Sequence, residues 1–106
     1  MVSRGDIWWY DHPRAGRRPI LILTRDEAIA VMHQVLAVPA TTTVRGIPTE
    51  VELGREDGMP SSCCLTLDNV SPIRAALCTE LITRLSSQRM AEVCAALAVA
   101  TACSPA

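Results

Sequence analysis

Residues 15–26 read AGRRPILILTRD, and the middle of this stretch decides what kind of chain surrounds it. Ile20 to Leu23 form an unbroken apolar run, as a buried strand requires. Pro19 precedes the run, and proline is tolerated at a strand edge because its missing N–H does least harm there. A strand is therefore predicted over Pro19–Thr24. Arg17 and Arg18 abut it at a predicted loop–strand junction, a common place for functional groups. The pair either makes surface salt bridges or binds a phosphate.

Outward from this strand the pattern stays β-rich. Ile7-Trp8-Trp9-Tyr10 is strand-forming, and residues 11–16 have turn chemistry. A short helical turn is predicted over Arg25–Ala30, and a third strand over Val31–Thr43 with a bulge or edge at Pro39. Thr49–Leu53 alternates polar and apolar. After a charged loop, Gly54–Pro60, strands are predicted over Ser62–Leu67 and within Leu77–Leu85. Ser86 or Ser87 can cap a terminal helix. In it Met90, Val93, Cys94 and Leu97 fall at helical spacing. One domain spans 1–106. Its expected fold is mainly β: a small SH3-like twisted β-barrel of five to seven strands with a C-terminal α-helix.

The chain has 106 residues and a net charge of −1, so it has no global basic field. The charge is unevenly spread. Residues 1–25 hold five Arg against two acids, a balance of +3, while residues 26–60 hold two Arg against six acids, a balance of −4. Every basic residue is Arg, whose planar fork fits phosphate, although GC-rich coding would give the same bias. The five cysteines are odd in number and lack metal or redox spacing, so buried, reduced thiols are expected. No apolar stretch reaches membrane-spanning length and no secretory leader pattern opens the chain. A soluble cytoplasmic protein is expected.

No P-loop, Rossmann fingerprint or nucleophile elbow occurs. His33 reads as structural. His12, in the first loop near Arg14, Arg17 and Arg18, is either a phosphate contact or a solvated turn residue. Thr41-Thr42-Thr43 closes the third strand. It offers hydroxyls to a phosphate if the fold brings it beside Arg18, and is otherwise β-propensity with turn polarity. Asp68-Asn69 follows the fifth strand, where an acid and an amide make a turn or read a base edge.

Several blocks, in order, resemble the MazF/PemK family of toxin–antitoxin endoribonucleases. They are Arg4-Gly5-Asp6-Ile7-Trp8-Trp9, Arg18-Pro19-Ile20-Leu21-Ile22-Leu23-Thr24, Val38-Pro39-Ala40-Thr41-Thr42, Ile47-Pro48-Thr49-Glu50-Val51, Leu67-Asp68-Asn69-Val70 and Leu85-Ser86-Ser87-Gln88-Arg89-Met90. The resemblance implies an SH3-like homodimer that cuts single-stranded RNA without metal or cofactor and is neutralised by a cognate antitoxin. It makes Arg18 and Thr41 the catalytic pair. Arg17, Thr42, His12, Asp68 and Asn69 become further catalytic or RNA-binding candidates, with His12 the best titratable base. The loop from Asp11 to Arg17 is shorter than in many relatives, so the cleavage motif is expected to differ. The same barrel also occurs in toxins that bind a protein target without cutting RNA, which is the alternative reading.

Overall fold

The structure is a computed structural model and describes residues 1–103. Strand β1 (Asp6–His12) turns at residues 13–15 and returns as β2 (Gly16–Ile22), with Tyr10 opposite Arg18 and Asp11 opposite Arg17. Both arginines thus lie inside a strand rather than at a loop junction. The turn is tighter than expected because His12 Nδ1 accepts the N–H groups of Arg14 and Ala15, at 3.0 and 2.9 Å. Gly16 closes it at φ +78°, a left-handed conformation that glycine adopts freely.

After the short helix α1 (Asp26–Ile29), strand β3 (Gln34–Thr41) pairs with β2. Strand β4 (Glu50–Leu53) pairs with β5 (Cys63–Thr66), and β5 with the end of β3. Strand β6 (Ser71–Arg74), absent from the sequence-based expectation, pairs with the start of β3. It holds only four residues, one of them Pro72, which weakened its signal. Strand β7 (Cys78–Arg84) pairs with β1. The order is β4-β5-β3-β2-β1-β7, with β6 branching from β3.

The ladder does not close into a barrel, because β4 and β7 remain edges. Side chains span that gap instead. Thr83 Oγ1 donates to the Asp57 carbonyl at 3.0 Å, from β7 to the 3-10 turn after β4. Helix α2 (Ser87–Thr101) begins beside it, with Ser86 Oγ accepting the Arg89 N–H. Val93 and Ala96 of α2 pack on Ile7, Leu21, Leu53 and Leu65 across the inner face of the sheet. The other face has its own core, in which Tyr10, Ile20, Ile22 and Val35 meet Val2, Ile29 and Ile73. Cys94 lies outside the helix stripe expected for it and is exposed, as is Cys103. Only Cys63 and Cys64 are buried as expected. Burial pushes both thiols up, and pushes Cys78 up to about 11, which leaves them weak nucleophiles.

Arg89 anchors α2 to the 3-10 turn. Its Nε donates to Asp57 Oδ1 at 2.9 Å and Nη2 to Oδ2 at 3.2 Å. These bonds hold the Asp57 carboxyl below its ordinary 3.8, against desolvation and with help from the Gly54 N–H. A carboxyl depressed in the fold stabilises it above its unfolded value and loses that contribution as pH falls through the folded one. The melting temperature should therefore drop below about pH 4. An Arg89→Leu variant, followed by thermal melts across this range, should show a shallower drop.

Two prolines shape the middle of the sheet. Leu23 N–H bonds to the Leu36 carbonyl, which sets the alternation of the β2–β3 ladder. By that alternation Pro19 would donate to Ala40 but has no N–H, and the recorded pairing ends one step earlier, at Ile20 and Pro39. The opposite edge of β3 changes partner from β6 to β5 after Ala37. Pro39 stands in this interval, again where no donor is needed.

Candidate active site

Extending the β2–β3 register two residues past Ile20 and Pro39 sets Arg18 opposite Thr41. With the ladder ended by Pro19, the strands no longer bond there, and a cavity of about 460 Å³ opens between them. Arg17 and Arg18 line it from β2, Thr41 and Thr42 from the end of β3, Arg45 from the loop beyond, and Asn69 from the turn before β6. None of its lining residues is acidic. Two guanidinium groups with no carboxylate partner among the described residues, Arg18 and Arg45, make a local positive field in a chain of net charge −1.

The three arginines differ. Arg17 is tied down: its guanidinium lies 4.5 Å from the centre of the Trp9 ring, and Nη2 bonds Glu80 Oε1 at 2.9 Å. It acts as a supporting charge. Arg18 is half-buried, and its Nε is buried with no hydrogen-bond partner among the described residues. An orphaned buried donor is unusual in a native fold, and here it belongs to a side chain that lines an anion-friendly cavity. Arg45 was not singled out by the sequence. The signal available was a basic residue on the loop that follows the threonine run.

Thr41 Oγ1 accepts the Thr43 N–H at 3.1 Å, which leaves its own hydroxyl hydrogen to donate. His12 shares with Arg18 a smaller cavity of about 150 Å³. Its Nδ1 lone pair is already engaged by two backbone amides, so the ring presents Nε2–H, a donor. This geometry argues against His12 as a general base. Asp68 and Asn69 part company. Asn69 faces the arginine cavity, whereas Asp68 accepts from Thr49 Oγ1 at 2.6 Å and borders the apolar groove beside α2. The 3-10 turn over Leu67–Asn69 sends the two neighbours to different sides, and the expected role of Asp68 at the site is not supported.

Among the described residues no group of three or more His, Cys, Asp or Glu side chains could hold a metal. None of the described helices is long and apolar enough to cross a membrane.

Comparison with known proteins gives a consistent result. The family profile described as "PemK-like, MazF-like toxin of type II toxin-antitoxin system" matches residues 3–101. A protein of Mycobacterium tuberculosis named "Probable endoribonuclease MazF5" is 39% identical over 105 residues, covering 98% of this chain and 96% of that one. Among solved structures, an endoribonuclease in complex with its cognate antitoxin, from a mycobacterial species, matches with a TM-score of 0.90. It is 24% identical, with 100% of both chains covered. A MazE-MazF structure from Deinococcus radiodurans matches with a TM-score of 0.82, at 25% identity over 97% of each chain.

Proposed function

This chain belongs to the PemK-like, MazF-like toxins of type II toxin–antitoxin systems, and from that premise we propose that it cuts single-stranded RNA by using the RNA's own 2′-hydroxyl as nucleophile. It is a toxin endoribonuclease. The observation that carries the mechanism is the placement of Arg18, with its unpaired Nε, opposite Thr41 in a cavity free of carboxylates. Such a lining attracts a phosphodiester and offers a divalent cation none of the carboxylates it prefers.

In the proposed reaction the 2′-oxygen attacks the adjacent phosphorus and gives up its proton to water. The bond to the 5′-oxygen breaks, and that oxygen takes up a proton. The products are a 2′,3′-cyclic phosphate and a 5′-hydroxyl. Arg18 binds the phosphate oxygens as charge builds on them and is read as the proton donor to the leaving oxygen, regaining its proton from water. Thr41 donates to a phosphate oxygen and keeps attack in line. The cavity presents no carboxylate and His12 no free lone pair. Charge stabilisation and positioning are therefore the protein's main contributions. RNA is selected because DNA lacks the nucleophile, and single strands because their bases can be splayed.

We read the partners as a cognate antitoxin and a second copy of the chain, the place of action as the cytoplasm, and the outcome as inhibited translation and growth. Incubation with a long, varied single-stranded RNA in EDTA should give discrete cuts ending in cyclic phosphate. A single 2′-deoxy substitution at the scissile nucleotide should abolish cutting there. Loss of one hydrogen bond to a charged group is worth about 10- to 100-fold, so Thr41→Ala should slow cleavage by that much and Thr41→Ser should restore most of it. RNA left intact across many sequences would instead favour a toxin that acts on a protein target.

A further inference from the structure

We propose that Arg45 is a second phosphate-binding group, serving the phosphodiester next to the one that is cut, and that Glu50 is the residue that positions it. The inference rests on the reading of the cavity as an RNA site.

Arg45 sits in the loop between β3 and β4, and loops of this kind are mobile unless tied down. This one is held from two sides by neighbouring strands. From β4, Glu50 Oε1 accepts the Arg45 N–H at 3.0 Å and the Gly46 N–H at 2.9 Å. Two successive amides can converge on one oxygen because Gly46 takes φ +70°, which forms an anion-binding nest. Desolvation pushes the Glu50 carboxyl up, but the Arg45, Gly46 and Ile47 amides outweigh it and hold it below its ordinary 4.5. From β5, the buried Cys64 Sγ donates to the Thr43 carbonyl at 3.6 Å. This assigns Cys64 a structural task.

With the backbone fixed, the Arg45 side chain lines the same cavity as Arg18. Among the described residues its guanidinium makes no ion pair and no side-chain hydrogen bond. Arg17, by contrast, is spoken for by Glu80. Arg45 is therefore free to meet a ligand. Arg18 and Arg45 approach the cavity from different segments, with Thr41 at the end of β3 and Thr42 on the chain between it and Arg45. A strand of RNA whose scissile phosphate lies on Arg18 and Thr41 would bring its neighbouring phosphate toward Arg45. Ground-state binding there should affect KM more than kcat.

The test measures cleavage kinetics on a short RNA, together with binding of the same RNA carrying a 2′-deoxy scissile nucleotide, across a salt series. Arg45→Ala should raise KM and Kd about 10-fold, with a much smaller change in kcat. It should also flatten the slope of log K against log salt by about 0.7, the value for one contact on single strands. Arg45→Lys, which keeps charge but not the fork, should fall between. Glu50→Ala should weaken binding in the same way, Glu50→Gln should recover part of it through its amide oxygen, and the double variant should bind no worse than Arg45→Ala. Melting curves check that each variant is folded; if Glu50→Ala is not, Glu50→Gln carries the comparison. An unchanged salt slope in Arg45→Ala, or a collapse of kcat at constant KM, overturns the subsite. Additive losses in the double variant overturn the role of Glu50. If the wild-type chain binds RNA through Arg45 but does not cut it, the subsite stands and the nuclease reading fails.

Discussion

An Arg18→Ala variant should lose about 100- to 1,000-fold in kcat/KM for RNA cleavage, the range found when one preorganised donor to a developing oxyanion is removed. Its melting temperature should hold or rise. The two expectations come from one observation. Arg18 Nε is buried and bonds to nothing among the described residues, so truncating the side chain breaks no hydrogen bond found there and removes an unsatisfied donor. What disappears is the fork that meets the phosphate as its charge grows. Arg18→Lys should stay well below wild type, because a point charge cannot reproduce bidentate geometry. Single-turnover cleavage alongside a thermal melt measures both effects on the same preparations. A variant that cuts at the wild-type rate removes Arg18 from the mechanism. One that unfolds makes it a structural residue instead.

The largest loss of stability should come from Asp6→Ala. Asp6 is 1% exposed at the start of β1, and its carboxylate is shared by three donors. The Ser3 N–H and Trp8 Nε1 bond Oδ2 at 2.9 and 3.1 Å, and Arg84 Nε bonds Oδ1 at 3.1 Å. Alanine strands the two buried or half-buried donors and leaves a void. The cost is about 2–4 kcal/mol, which for a domain of this size lowers Tm by roughly 10–25 °C. Arg84→Ala is the control. Its side chain is 73% exposed, so water replaces Asp6 as its partner, and the same melt should show a loss of about 1 kcal/mol or less. Equal losses from both substitutions would mean that the ion pair, not the buried amide and indole, sets the energy.

Strand periodicity made most of the sheet legible. The apolar run from Ile20 enters β2, which ends at Ile22, the alternation after Thr49 falls in β4, and the Ser86 cap and the presence of the helix behind it stand as read. What failed was context. His12 was read as loop because of its turn-forming neighbours, yet its ring stitches the turn that lets β1 and β2 run on to His12 and Gly16. Cys94 fits the helical stripe by spacing, but the helix is rolled so that Val93 and Ala96 meet the sheet, and Arg4 Nη2 contacts the thiol at 3.4 Å instead. In the site, Arg18 and Thr41 were reached by resemblance, and the register agrees with their pairing. Arg45 was missed because what holds its loop in place is a contact with Glu50 from the next strand, and a lone arginine after the threonine run is a faint signal. Asp68 and Asn69 are neighbours in sequence, but adjacency does not fix which way a side chain points, and the 3-10 turn sends the two to different sides.

Strand β1 lies between β2 and β7, and its partner on the second side, from Cys78 to Arg84, is the last strand of the chain's described residues. Closing so long a loop is slow and yields nothing until both ends are present. During synthesis, β1 and β2 can meet early, but Asp6 must wait for Arg84, and the inner core must wait for α2. The arginines of β2 precede in the chain the framework that holds them in the sheet, which includes β7 and α2. Assembly of the site is thus deferred by topology until β7 and α2 have emerged, a delay built into strand order.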